Sequence, residues 1–165
     1  MARTSDTCRQ VYNWALAERR DHYEATKKTL SFAEQCRRLT VARRTNFGWK
    51  SIHTHALQLD LKRLDFAFGH FFRRVKLGQE PGYPRFKSHD RLVGFGFKEH
   101  GNGWRLETKA VRLTGIGRIK VRGQSRFAAA KPQTCEIIQR AGKWYLSVTF
   151  TLAELPVRAR TGHLV

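Results

Sequence analysis

Acidic residues are scarce in this chain. Its 165 residues hold 13 Asp and Glu against 32 Lys and Arg, a formal charge of +19. Self-repulsion on that scale weakens a compact state unless a polyanion neutralises it, which points to a nucleic-acid partner. Aspartate disappears after Asp90, leaving only Glu99, Glu107, Glu136 and Glu154 as acids. A metal-dependent nuclease needs convergent carboxylates, and a scattered set does not supply them. Cysteine is also rare. Cys8, Cys36 and Cys135 are odd in number and never form a CxxC pair, which excludes a disulfide framework and a zinc ribbon. No run of about 18 apolar residues occurs, and the start MARTSDTCRQ lacks the apolar centre of a signal peptide. The expectation is a cytoplasmic, nucleoid-associated protein without a membrane partner.

What is present divides by period. Cys8, Val11, Tyr12, Ala15 and Leu16 recur at helical spacing, predicting a first helix from Ser5 to about Lys28, with Ser5 or Asp6 as its cap. Ser31 and Glu34 form a capping-box pattern ahead of Phe32, Cys36 and Leu39, so a second helix should run to about Arg44. Asn46, Phe47 and Gly48 read as a break. Leu57, Leu61, Leu64, Phe68, Phe71, Phe72 and Val75 then follow in steps of three and four, with Gly78 as the stop. From Leu92 onward the apolar residues alternate instead: Val93, Phe95, Phe97; Ile119, Val121; Trp144, Leu146, Val148, Phe150. RAGKW, Arg140 to Trp144, suits a hairpin between Cys135 to Arg140 and Lys143 to Leu152. The expected fold is α+β: a bundle of about three helices over 1–80, an incomplete antiparallel barrel of the oligonucleotide-binding kind over 81–155, and a linker tail over 156–165.

Charge gathers in two places. Between Thr108 and Lys131 there is no acid, but Lys109, Arg112, Arg118, Lys120, Arg122, Arg126 and Lys131 are present. With Ile119 and Val121 pointing inward, Arg118, Lys120 and Arg122 would share the opposite face at period two, a row able to track phosphates. The second place is FRRVKLGQEPGYPRFKS, Phe72 to Ser88. Arg73, Arg74 and Lys76 complement the negative end of a helix dipole, but the dipole does not explain Arg85 and Lys87. Pro81, Gly82 and Pro84 stiffen the turn, with Tyr83 and Phe86 as anchors on the helix or stacking rings for a base.

Catalytic and metal patterns fail on the residues. His53 and His55, at i and i+2, would point about 200° apart on a helix, with no nearby carboxylate. His70 falls in the apolar third helix, and Ser5, Ser31 and Cys36 have no recognisable partner base. No cofactor, no metal ligand set and no catalytic residue are expected.

VYNWAL (11–16), LSFAEQ (30–35), ALQ (56–58) and FFRRVKLGQEPGYPRFKS (71–88) together strongly resemble the TnpB/OrfB family, transposon-encoded RNA-guided DNA nucleases akin to type V CRISPR effectors. The resemblance runs from about Thr7 to Phe150. It implies a helical recognition lobe, called a helix-turn-helix in older usage, and a wedge barrel where guide RNA and a short motif in double-stranded DNA meet. The matching motif-reading positions are Phe32, Thr54, His55, Gln58 and Lys98. Gln58 suits a bidentate contact with adenine, while Phe32 stands where a Tyr hydroxyl would add a hydrogen bond. Arg73, Arg74, Lys76, Arg85 and Lys87 would grip phosphates, and Lys109, Arg118, Lys120 and Arg122 would hold guide RNA. The family begins with a barrel strand ahead of the first helix and continues into a magnesium-dependent nuclease domain, neither of which this sequence contains. The implied role is therefore binding rather than cleavage. The alternatives are part of a split nuclease completed by a separate nuclease-domain chain, a repressor that has lost cleavage, and an inactive gene remnant.

Overall fold

The structure, a computed structural model, describes residues 1–91, 94–123 and 130–152. Val93, Arg126 and the tail 156–165, each assigned a place above, lie outside the described residues. Among the described residues four helices come first: α1 (Ala2–Thr26), α2 (Phe32–Thr45), α3 (Phe47–Lys50) and α4 (Thr54–Lys76). Seven strands of the described residues follow: β1 (Gly94–Phe97), β2 (Glu99–His100), β3 (Gly103–Glu107), β4 (Ala110–Leu113), β5 (Gly117–Lys120), β6 (Lys131–Arg140) and β7 (Lys143–Thr151). The α+β order is as the periodicity predicts. Among the described residues no helix is long and apolar enough to cross a membrane.

Helix boundaries follow local chemistry. α1 starts at Ala2, with no side-chain cap, so Ser5 and Asp6 lie inside the helix and do not cap it. Instead the Ser5 hydroxyl accepts from the Gly94 amide at 2.8 Å, tying helix to sheet. The expected cap of α2 is present: Ser31 Oγ accepts from the Glu34 amide at 3.2 Å. The break at Asn46 is itself a cap, its Oδ1 accepting from the Trp49 amide at 3.1 Å to start the single turn of α3. α4 ends in a Schellman motif, with Gly78 N donating to Val75 O at 3.1 Å and Gln79 N to Arg74 O at 3.0 Å. Gly78, at φ 65°, occupies the left-handed position that this motif requires.

The strands form two open sheets, ordered β1-β6-β7 and β2-β3-β4-β5, and neither closes into a barrel. Pairing is antiparallel except for the two-residue β2–β3 contact. The hairpin at RAGKW turns through Ala141 at φ 47° and Gly142 at φ 73°, the two positive values of a type I′ turn. Short strands β3 and β4 were not foreseen. Gly101, Gly103 and Gly115 surround them, which breaks the alternation into pieces of four or five residues.

One apolar cluster runs through both halves. Cys8, Val11, Ala15 and Leu16 of α1 meet Leu57, Leu61 and Leu64 of α4, and the same cluster takes in Phe95, Phe97, Cys135 and Ile137 of the first sheet and Trp104, Val111 and Leu113 of the second. Helix and sheet approach so closely at Gly96 that an added Cβ would lie 2.6 Å from Leu59 Cδ2 and 2.7 Å from Cys135 O. Asp60 is buried inside this core. Its Oδ1 accepts from Arg63 Nη1 at 2.7 Å, and Arg63 Nη2 reaches Glu136 on β6 at 3.2 Å, so one guanidinium bridges α4 and the sheet. Burial pushes the Asp60 carboxyl above its ordinary range, against the opposing pull of Arg63.

Candidate nucleic-acid interface

Three groups of candidate residues can be built from these elements. The first lies where the start of α2, the first half of α4 and the end of β1 converge. Lys98, just past β1, donates from Nζ to Gln58 Oε1 at 3.2 Å and sits 5.5 Å from the centre of the Phe32 ring. Three residues separated by 26 and 40 positions in sequence thereby share one surface. The Gln58 amide nitrogen has no partner among the described residues and stays available as a donor. Lys62, one turn along α4 from Gln58, lies 5.0 Å from the Phe32 ring and 4.8 Å from that of exposed Phe66. Those contacts extend the surface along the helix beyond what the motifs indicated.

Thr54 and His55 open α4 beside this group. The Thr54 hydroxyl is paired with Arg43 Nη1. Arg43 also donates to Ile52 O at 2.7 Å, and burial lowers its pKa. Thr54 is thus tied to the fold through α2. His53 and His55 do not diverge as two helical residues would. His53 precedes the helix and caps it, its Nδ1 accepting from the His55 amide at 3.3 Å, so the rings meet edge to face at 5.0 Å. Burial, together with nearby His55 and Arg43, lowers the His53 pKa and so favours the neutral ring. His55 Nδ1 is buried without a partner among the described residues.

The second group is Arg73, Arg74, Lys76, Arg85 and Lys87. Arg73 Nη2 lies 3.0 Å from His70 Nδ1, whereas Arg74, Lys76 and Arg85 are exposed and make no side-chain hydrogen bond or ion pair among the described residues. The connection that carries Arg85 and Lys87 has no regular structure, yet both of its ends are held. Tyr83 packs edge-on against Phe68 at 5.6 Å and Phe71 at 5.3 Å, the anchoring role foreseen for it. At the far end the Asn13 side chain accepts from Lys87 N at 2.8 Å and donates to Lys87 O at 3.0 Å. This two-point clamp on α1 fixes the backbone, while Lys87 Nζ lies over the Tyr12 ring at 5.5 Å.

The third group lies on the second sheet. Arg118 and Lys120 are exposed on β5, but β5 ends at Lys120, so Arg122 follows the strand and does not continue its row. Lys109 is at the exposed β3–β4 turn, its carbonyl accepting from Val121 N at 3.0 Å. Sequence periodicity missed a row that pairing creates: Arg105 faces Arg112 and Arg112 faces Arg118, side by side across β3, β4 and β5. Glu107 partly neutralises it, at 2.6 Å from Arg118 and 3.6 Å from Arg112, and the hydrogen bond from Arg118 holds its carboxyl below the usual range. The signal for Arg105 was available in the flanking Trp104 and Leu106, which point the other way.

A family profile described as a helix-turn-helix domain, of the OrfB type of IS605 elements, matches residues 1–28, which here fall almost entirely on the single helix α1. Over 150 residues, 90% of this chain, it is 29% identical to an Escherichia coli (strain K12) protein named "Putative RNA-guided DNA endonuclease InsQ". The matched region is 36% of that protein's length, so the chain spans about a third of its relative. Both findings bear out the resemblance carried by the motifs between Val11 and Ser88: this chain is akin to the TnpB/OrfB family.

Proposed function

We propose that the chain is the nucleic-acid-binding portion of a TnpB-like RNA-guided nuclease, holding guide RNA and a duplex that carries a target-adjacent motif. The observation that supports this most is the meeting of Phe32, Gln58 and Lys98 on one surface. An aromatic face, an amide donor and a cation together can read a base edge and hold the phosphate beside it. The free cations of the second group would grip phosphates, and the arginine row on the second sheet would lie along RNA. The acids of the described residues are used differently. Asp6, Glu34, Asp60, Asp65, Glu107 and Glu136 each pair with Arg or Lys instead of converging on a common point. The contribution of these residues is binding, and hydrolysis would require carboxylates supplied by further polypeptide.

The test is a duplex library carrying randomised motifs, titrated with the full chain and its co-purified RNA. Gln58→Ala should cost roughly tenfold on the preferred motif, within the 1–3 kcal/mol of one good base contact, and little on the others. An equal loss on every motif would reject the assignment of Gln58 to base reading.

A further inference from the structure

An apolar cavity of about 260 Å³ lies outside all three groups, between the second half of α1, the α1–α2 connection and the second half of α4. Arg19, Leu30, Phe68, Phe71, Phe72 and Tyr83 form its walls. Phe72 and Tyr83 keep 43% and 46% of their surface exposed, so ring faces stand at its mouth. Arg19 is the unusual component. It is only 8% exposed, yet it is charged and rigidly held: Nε donates to Gln35 Oε1 at 2.6 Å, Nη2 pairs with Asp65 at 3.2 Å, and the guanidinium lies 4.9 Å over the Phe68 ring. Its remaining amino group, Nη1, makes no hydrogen bond among the described residues. Tyr83 also borders a second, open hollow of about 450 Å³ that contains Arg74, Arg85 and Glu80. Two free guanidinia therefore stand on the other side of one cavity wall.

We propose that the cavity takes an unpaired base of a single-stranded nucleic acid, while Arg74 and Arg85 hold the phosphate attached to it. Aromatic walls accept any base by stacking, worth about 1–3 kcal/mol per base. The fixed guanidinium supplies the kind of donor that arginine offers to a base carbonyl oxygen. The volume falls just under the ~300 Å³ at which pockets for larger ligands begin, which suits one ring system. An apolar protein side chain would fill the cavity but would give no role to the neighbouring cations. Glu80 is the single acid at that rim, and the two guanidinia outnumber it. This inference rests on the nucleic-acid reading above and names a site within it.

The test uses the full chain and fluorescence anisotropy with labelled strands of about ten nucleotides: RNA, DNA, and an abasic sugar-phosphate strand of equal charge. Phe72→Leu and Tyr83→Leu keep apolar bulk and remove the ring, and circular dichroism checks their folding. The expected result is that the chain binds base-bearing strands roughly tenfold more tightly than the abasic strand. Phe72→Leu should erase most of that difference and leave abasic affinity unchanged, whereas Tyr83→Leu, which also loosens the connection carrying Arg85, should erase the difference and weaken abasic binding modestly. Base-dependent tightening in either the RNA or the DNA arm supports the site, and the arm that shows it identifies the strand supplying the base. Equal binding of base-bearing and abasic strands by the unaltered chain overturns the cavity assignment while leaving the nucleic-acid reading in place. Unaltered base dependence in both variants does the same. Failure to bind any strand overturns both.

Discussion

Arg37, Arg38 and Arg43 of α2 share one chemistry with the arginines near the end of α4 but are engaged differently. On α2, Arg37 reaches Glu34 at 2.5 Å, Arg38 contacts Glu34 at 3.3 Å and Glu18 at 3.4 Å, and Arg43 ties the helix to Ile52 and Thr54. Near the end of α4, Arg74 and Lys76 have no such partner among the described residues, and neither does Arg85 in the following loop. Charge count alone would have treated these positions as equivalent. The scarce acids decide between them. Glu18 and Glu34 engage Arg38, and Glu34 also engages Arg37, whereas Arg74, Lys76 and Arg85 have no acid within ion-pairing reach among the described residues.

That contrast can be broken in four ways. The largest effect is expected for Arg63→Ala, which strands buried Asp60 beside an unpaired Glu136 and should cost about 3 kcal/mol in urea unfolding, with nucleic-acid affinity unchanged at temperatures where the variant is folded. Affinity lost in proportion to stability would erase the distinction. Next, Arg73→Ala with Arg74→Ala should weaken binding about tenfold for every sequence and reduce the log–log salt slope by about two, with the unfolding midpoint nearly unmoved. An unchanged slope would remove these residues from the phosphate-gripping set.

The third test concerns acid. The Asp60 pKa is raised in the folded state, so its contribution to stability is fullest below the ordinary carboxylate range and declines as pH rises through the raised value. Asp6, Glu34 and Glu107 are shifted down by their arginine partners, and their contributions are lost as pH falls through the lowered values. Asp60→Asn removes the opposing trend, so unfolding midpoints measured from acid to neutral pH should climb more steeply than in the unaltered chain. A parallel profile would mean that Asp60 does not titrate differently on folding. The smallest effect is expected for Arg37→Ala, an exposed arginine whose ion pair with Glu34 is screened by solvent: neither melting temperature nor affinity should shift measurably.

How much of this could be read in advance depended on the range of the interactions. Helical period and capping are local, so α2 and α4 were placed from Ser31, Glu34, Leu57 to Val75 and Gly78 to within a few residues, and the hairpin followed from Ala141 and Gly142. The start of α1 is not legible in the same way, because Ser5 has the chemistry of a cap but its hydroxyl serves the distant Gly94 amide. Pairing register is not local. Arg105, Arg112 and Arg118 become a row only once three strands align, and β3 and β4 are too short and too interrupted by glycine to be recognised alone. The convergence of Phe32, Gln58 and Lys98 was legible only through family resemblance, since no periodicity links α2 to the end of β1. Buried charge was hidden as well. Asp60 and Arg19 fall within apolar stripes, and only packing shows that one holds the arginine that bridges helix and sheet and that the other edges a cavity.

The clasp between Asn13 and Lys87 bears on how fast a strand could come and go. A connection without a ladder of its own would ordinarily stiffen when a ligand arrives, and that ordering would slow capture. Here the amide of one α1 residue has already restrained it during folding, leaving chiefly side-chain motion to be lost on contact. Such a surface would capture a strand quickly and lose less affinity to ordering than a free loop, leaving selectivity to the residues that meet the bases.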